Sequence, residues 1–268
     1  MPSPMRMSFL EKVWGNTRLA PWFPDSSKKI GEVWYRHESG LPILVKLLFT
    51  SERLSVQVHP NDEYAAAHES SSGKTEMWYV LRADPGSPGV AAGLRESMSP
   101  ERLRELALSG AIEEYLHWIE VKPGDTIFIP AGTIHAIGPG LVLCEIQQYS
   151  DVTYRLYDYG RPRELHLDKA VEVSEAGPYR TVSGIPDGLL ALSPYFAVRE
   201  WRVEGPAQIQ PKQDRFELLI AVEGAGWIAD RPFRAGEAWH VAAGEPDFSI
   251  FSAGGARFLR AYVPGGAG

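Results

Sequence analysis

The sequence predicts a mainly β protein, and three observations lead there. Short runs in which apolar and polar residues alternate recur along most of the chain. In residues 54–59, LSVQVH, Leu54, Val56 and Val58 take one face while Ser55, Gln57 and His59 take the other. Gly (26) and Pro (21) are plentiful and punctuate these runs, as many turns between short strands require. Residues 190–268 then give a second series of short strand patterns that echoes the first. At 268 residues the chain is long enough for one large all-β domain or two small ones.

Residues 1–40 read as an entry segment lying across the outside of a sheet, with Trp14, Trp22, Phe23, Trp34 and Tyr35 tucked in. Residues 31–37, GEVWYRH, read as a first strand, with His37 structural or exposed. Residues 41–50, LPILVKLLFT, form a core strand interrupted by Lys46, which either snorkels to water or faces a pocket. After residues 54–59 come Asn61 as a cap and a short helix over 63–69, with His68 on the surface. Residues 73–81, GKTEMWYVL, form a strand with Lys74, Glu76 and Trp78 on one face.

Between 83 and 120 the β pattern breaks. Ser99, Pro100 and Glu101 supply an N-cap, a first-turn proline and a first-turn acid, so a helix begins there and ends at Gly110. A second short helix over 111–118 completes a helical insert at about 99–118. Residues 126–129 form a strand, His135 opens another after the turn Pro130-Ala131-Gly132, and 141–148 (LVLCEIQQ) is strongly β. If residues 151–155, DVTYR, are extended, Asp151, Thr153 and Arg155 share a side. Residues 168–175, DKAVEVSE, read as a linker or short helix.

In the second series, residues 215–219 (RFELL) echo 74–78 (KTEMW), and Gly236-Glu237 with Trp239-His240-Val241 echo Gly124-Asp125 with Ile127-Phe128-Ile129. Two β-modules follow, with boundaries at 1–167 and 168–268. The second module has no counterpart of Gln57-x-His59 and carries Asp247 where the first has His135, so only the first can build a metal site.

The net charge of −7, with no basic run, disfavours nucleic acid and anionic membranes as partners. No apolar run is long enough to span a bilayer, and the N-terminus lacks a signal-peptide core. The single Cys144 excludes an intramolecular disulfide and fits the cytoplasm. The sequence leaves the oligomeric state open.

Gln57, His59, Glu76 and His135 come from three β segments. Two nitrogens and two oxygens suit zinc, with Mn²⁺ or Co²⁺ as substitutes, and leave positions open for substrate or water. A structural zinc site would favour Cys, which is almost absent.

The spacing Gly124-x5-Pro130-x-Gly132-x2-His135 resembles the second half of the cupin pattern. The first half has Gln57-x-His59 where His-x-His is common, and Glu76 lies 17 residues past His59. With those features the stretches VKLLFTSERLSVQVHPND, GKTEMWYVL, VKPGDTIFIPAGTIHAIGPG and EIQQYSDVTYRLYDYGR resemble the type I phosphomannose isomerases in their compact bacterial form. The resemblance implies two jelly-roll cupin modules and one zinc ion at Gln57, His59, Glu76 and His135. It also implies pocket residues at Lys46, Lys74, Asp151 and Arg155, and Ser55 beside the phosphate of a phosphorylated hexose. Its activity would be the interconversion of mannose 6-phosphate and fructose 6-phosphate through a cis-enediol. Lys46, Lys74, Asp151 and metal-bound hydroxide are the options for the base, and Arg155 would stabilise the enediolate. The chain departs from longer relatives in carrying Gly73 where they have a His before the K-x-E motif. A non-catalytic sugar-phosphate-binding protein and a cupin Fe(II) oxidoreductase are the alternatives.

Overall fold

The computed structural model describes residues 1–181 and 184–265. The first half contains β1 (Ser3–Pro4), β2 (Arg6–Asn16), β3 (Ile30–Arg36), β4 (Ile43–Phe49), β5 (Val56–Val58), α1 (Asp62–Glu69), β6 (Glu76–Ala83) and β7 (Val90–Leu94). Next come α2 (Pro100–Ser109), α3 (Ile112–Tyr115), β8 (Leu116–Ile119), β9 (Thr126–Ile129), β10 (His135–Ile137), β11 (Leu141–Gln148), β12 (Tyr154–Tyr157) and α4 (Leu167–Val173). The C-terminal part holds β13 (Ala191–Leu192), β14 (Ala197–Ile209), β15 (Glu217–Ile228), β16 (Arg231–Arg234), β17 (Ala238–Val241) and β18 (Phe248–Tyr262). The protein is mainly β, and among the described residues no helix is long and apolar enough to cross a membrane.

Two sheets enclose the centre of the first part. One runs β2-β3-β4-β11-β6-β9 and the other β12-β5-β10-β7-β8. Trp14, Leu48, Leu54, Trp78, Ile137 and Leu143 fill the space between them. The other face of the six-stranded sheet shares a second apolar layer with the C-terminal sheet, where Val45, Leu47, Met77 and Cys144 meet Val198, Leu218, Ile220 and Leu259. Every residue of β4 and β11 is therefore buried, which explains their nearly unbroken apolar sequences. Lys46 and Glu145 are the charged exceptions, and the register places them directly opposite each other.

The predicted helix after Ser99 forms as expected. Ser99 Oγ accepts from Arg102 N at 3.3 Å, and Gly110 closes the helix with φ +79°. Leu103, Leu106 and Ala107 cover the five-stranded sheet against Val56, Val58 and Leu156. Asn61 caps α1 through its Oδ1, which accepts from Tyr64 N at 2.9 Å.

Four expectations are corrected. The entry segment is a strand for half of its length: β2 is eleven residues long and forms the sheet edge, where Met7, Phe9, Glu11 and Val13 face solvent while Leu10, Lys12 and Trp14 line the cleft, so apolar residues on both faces hide the alternation. Ser3 and Pro4 pair with His240 and Trp239, so the chain start joins the C-terminal sheet. Residues 83–120 are not only loop and helix, because Val90–Leu94 is a fully buried strand too short and uniform to show a period. The second short helix ends at Tyr115, and 116–119 is a strand on β7.

The two echoed segments share a ladder register. Glu76 pairs with Ile129 and Met77 with Phe128, while Glu217 pairs with Val241 and Leu218 with His240.

Candidate metal centre

β5 alternates, so Gln57 faces the space between the sheets while Val56 and Val58 are buried on the other side. His59 follows where the strand ends. His135 opens β10 and lies opposite Gln57 in the ladder, with Arg155 of β12 opposite Gln57 on its other side. Gly132 turns the chain into this strand with φ +86°, a conformation that favours glycine, and its N–H donates to His59 O at 2.8 Å. Glu76 opens β6 on the facing sheet. The candidate ligands therefore converge from both sheets, and one donor atom each from His59, Glu76 and His135 lies within 4.8 Å of the others.

The hydrogen bonds of the two imidazoles set their tautomers. His59 Nδ1 donates to Val152 O at 2.9 Å and His135 Nδ1 donates to Thr133 O at 2.9 Å. Each Nε2 lone pair is thereby aimed inward, at 3.4 Å and 3.5 Å from the two oxygens of Glu76. Burial first, then the Lys74 ammonium, pushes His59 down to about 3, and burial likewise lowers His135. Both rings are neutral, as ligands must be. Burial alone would raise the Glu76 carboxyl, but the Lys74 ammonium outweighs it and holds it well below the usual range.

These residues fit a divalent cation. Glu76 Oε1 is buried without a hydrogen-bond partner. Lys74 donates to Glu76 and, at 2.8 Å, to His59 Nε2, so its ammonium supplies positive charge among the same donor atoms. Gln57 is adjacent, with Nε2 3.1 Å from His135 Nε2 and Oε1 accepting from Ser55 Oγ at 3.3 Å. A half-turn of the amide would exchange its oxygen and nitrogen.

Beside the centre lies a cleft of about 400 Å³, which Gln57 and Lys74 line while His59, Glu76 and His135 lie behind its wall. Ser55, Gln57, Lys46, Lys74, Asp151 and Arg155 all line it, so the structure brings these sequence-predicted residues to one place. Asp151 and Arg155 form no ion pair with each other; Arg155 Nη1 donates instead to Glu164 O at 2.5 Å. Lys46 Nζ lies 3.0 Å from Glu145 Oε1, and Trp78 Nε1 donates to Glu145 Oε2 at 3.0 Å. For Lys46, burial is outweighed by Glu145 and Glu32, so its pKa is raised and it stays an ammonium. A larger cavity of about 620 Å³, beside Trp22, Tyr79 and Val222, has none of the ligand residues in its lining.

Sequence reasoning missed Glu145, Glu32, Trp34 and Arg36, all of which line the cleft. A signal for Glu145 was present: a carboxylate inside the apolar run LVLCEIQQ needs a buried partner. Gly73 is also explained. A Cβ there would stand 2.5 Å from Asn61 C and 2.9 Å from Pro60 O, so this backbone has no room for a side chain at that position.

Residues 7–82 match the family model described as phosphomannose isomerase type I, catalytic domain. The chain is 32% identical over 296 residues to the mannose-6-phosphate isomerase ManA of Bacillus subtilis (strain 168), covering 90% of this chain and 93% of that one. A crystal structure of the mannose 6-phosphate isomerase from Bacillus subtilis superposes with a TM-score of 0.85 at 30% identity, over 97% of this chain and 99% of that one. The structure of a putative mannosephosphate isomerase from Archaeoglobus fulgidus, 21% identical, shares the fold with a TM-score of 0.77 over 98% of this chain and 97% of that one. With a near-full-length relative at this identity and the same architecture throughout, the chain belongs to the type I phosphomannose isomerase family.

Proposed function

We propose that this protein is a metal-dependent isomerase that interconverts mannose 6-phosphate and fructose 6-phosphate. One observation carries the reading: the His59–Glu76–His135 cluster lies at a cleft whose lining has six cationic side chains against three carboxylates, in a protein of net charge −7. Such a cleft draws a phosphorylated sugar toward a ligand cluster. The activity named for the Bacillus relatives is that of a phosphosugar isomerase.

His59, Glu76, His135 and Gln57 would hold the ion, which we take to be zinc with Mn²⁺ or Co²⁺ as substitutes. Bound there, a divalent cation supplies a Lewis acid for the substrate oxygens. The isomerisation moves one proton between C1 and C2 through a cis-enediol. A base that takes and returns the proton must be fixed in place. Glu145 meets that condition, because it is buried and held by both Lys46 and Trp78. Asp151 is exposed and lacks such partners among the described residues, so we assign it to substrate binding. Lys46, kept protonated by Glu145 and Glu32, serves as a cation for substrate oxygens and not as the base. Arg155, anchored on Glu164 O, stabilises negative charge on the enediolate, and Ser55 and Lys74 bind substrate.

We read the chain as two cupin modules, 1–167 and 168–268, the second without a metal, and place the protein in the cytoplasm. The test is conversion of mannose 6-phosphate to fructose 6-phosphate, lost on chelation and restored by Zn²⁺, with solvent deuterium appearing at C1 or C2. Absence of turnover with one metal bound per chain refutes the reading. In that case tight sugar-phosphate binding would favour a non-catalytic binding protein, an alternative that the side-chain-free Gly73 position supports.

A further inference from the structure

Five of the six cations lining the cleft have a partner. Lys12 lies 3.2 Å from Glu32, Lys46 3.0 Å from Glu145 and Arg163 2.6 Å from Asp158. Lys74 pairs with Glu76, and Arg155 is bonded to Glu164 O. Arg36 has no acidic partner among the described residues. Its guanidinium rests 4.8 Å from the centroid of the Trp34 ring, and Lys46 Nζ lies 4.6 Å from that same centroid. Across the β2–β3 ladder Arg36 stands directly opposite Arg6. Like charges in that relation destabilise a sheet, so the pair is an uncompensated cationic patch at the end of the cleft wall.

The ladder also sets how far this patch lies from the metal centre. Trp34 is opposite Lys46, Leu44 opposite Gln147, and Gln147 opposite Glu76. Two residues beyond Trp34, Arg36 falls in the cross-strand row of Leu44, Gln147 and Glu76. It is three strand spacings from Glu76, roughly 14 Å between Cα atoms. An arginine side chain reaching inward from one end and a six-carbon sugar with a terminal phosphate reaching outward from the other bridge that span.

We propose that Arg36, backed by Trp34 and flanked by Arg6, receives the terminal dianion of the substrate and selects hexose phosphates over unphosphorylated sugars. The assignment rests on the isomerase reading above. A guanidinium suits this role, because it can give a phosphate two parallel hydrogen bonds while its flat face stays on the indole.

The test uses the metal-loaded full chain. Arg36→Gln should raise KM for mannose 6-phosphate about tenfold or more while kcat stays within about twofold, since the lost contact is the same in ground and transition states. Inorganic phosphate, as a competitive inhibitor, should weaken in parallel, and Arg36→Lys should recover part of both losses. Metal content should match the parent protein, and the melting temperature should equal or slightly exceed the parent's, because the repulsion from Arg6 is relieved. Unchanged KM and unchanged inhibition by phosphate in Arg36→Gln overturn the proposal while leaving the isomerase reading intact. If the parent protein shows no turnover, the isomerase reading fails, and calorimetric binding of fructose 6-phosphate tests Arg36 by itself. Binding at least tenfold weaker in Arg36→Gln supports the proposal, and equal affinity overturns it.

Discussion

His135 Nε2 stands 3.5 Å from Glu76 Oε1, a buried carboxylate oxygen that accepts no hydrogen bond. The two residues come from facing sheets, and a cation held between them would satisfy both. His135→Ala should therefore lose metal. Removing a partner behind a ligand typically weakens a site 10–100-fold, so removing the ligand itself should exceed about 100-fold, measured by metal analysis after dialysis. Glu217→Ala is the control. Glu217 is held by Arg260, and its loss should lower the melting temperature but leave metal content unchanged.

The Lys46–Glu145 pair should show strong coupling. Both residues are almost fully buried, so Glu145→Ala strands an ammonium in the interior. A loss of about 3–5 kcal/mol in denaturant unfolding is expected. The double variant Lys46→Met/Glu145→Leu should recover most of that stability and none of the turnover. Additive losses in the double variant would show that the two side chains do not act as a pair.

Arg155→Ala should retain metal and lose roughly 10²–10³ in kcat, the range for removing one donor to a developing oxyanion. Metal analysis and steady-state kinetics on the same sample separate the two effects. Near-normal rates would remove Arg155 from the chemistry.

The pH dependence of stability should report His240. Burial first, and then His37, whose ring centroid is 4.2 Å away, pushes His240 down to about 4 from 6.5. Between those values the unfolded chain binds more protons than the folded one, so stability rises with pH there. The contribution of His240 is complete above about 6.5 and is lost as pH falls through 4. His240→Phe should flatten the denaturation profile over that window. An unchanged slope would show that this ring does not govern it.

Much of the architecture could be read from local patterns. Ser99, Pro100 and Gly110 marked α2 to the residue, and Asn61 marked the start of α1, because caps and turns are local chemistry. β7 was not legible, because a five-residue strand buried on both faces has no period to detect. β2 was obscured because an edge strand with one exposed face mixes charge and aromatic residues irregularly.

For the candidate centre, the sequence by itself determined the donor set. Gln57 and His59 alternate onto one strand face, Glu76 interrupts an apolar run, and the Pro130–Gly132 turn presents His135. Tertiary structure alone decided which donors meet and in what state. Nδ1 bonds to Val152 and Thr133 turn both imidazoles inward, and burial keeps them neutral. It also placed Glu145 against Lys46 and left Arg36 facing Arg6 with no acidic partner among the described residues. The reason is physical. Strand alternation and turn chemistry are set by neighbours in sequence, whereas pairing register and burial depend on residues distant in the chain, about a hundred positions away for Lys46 and Glu145 and farther for Ser3 and His240.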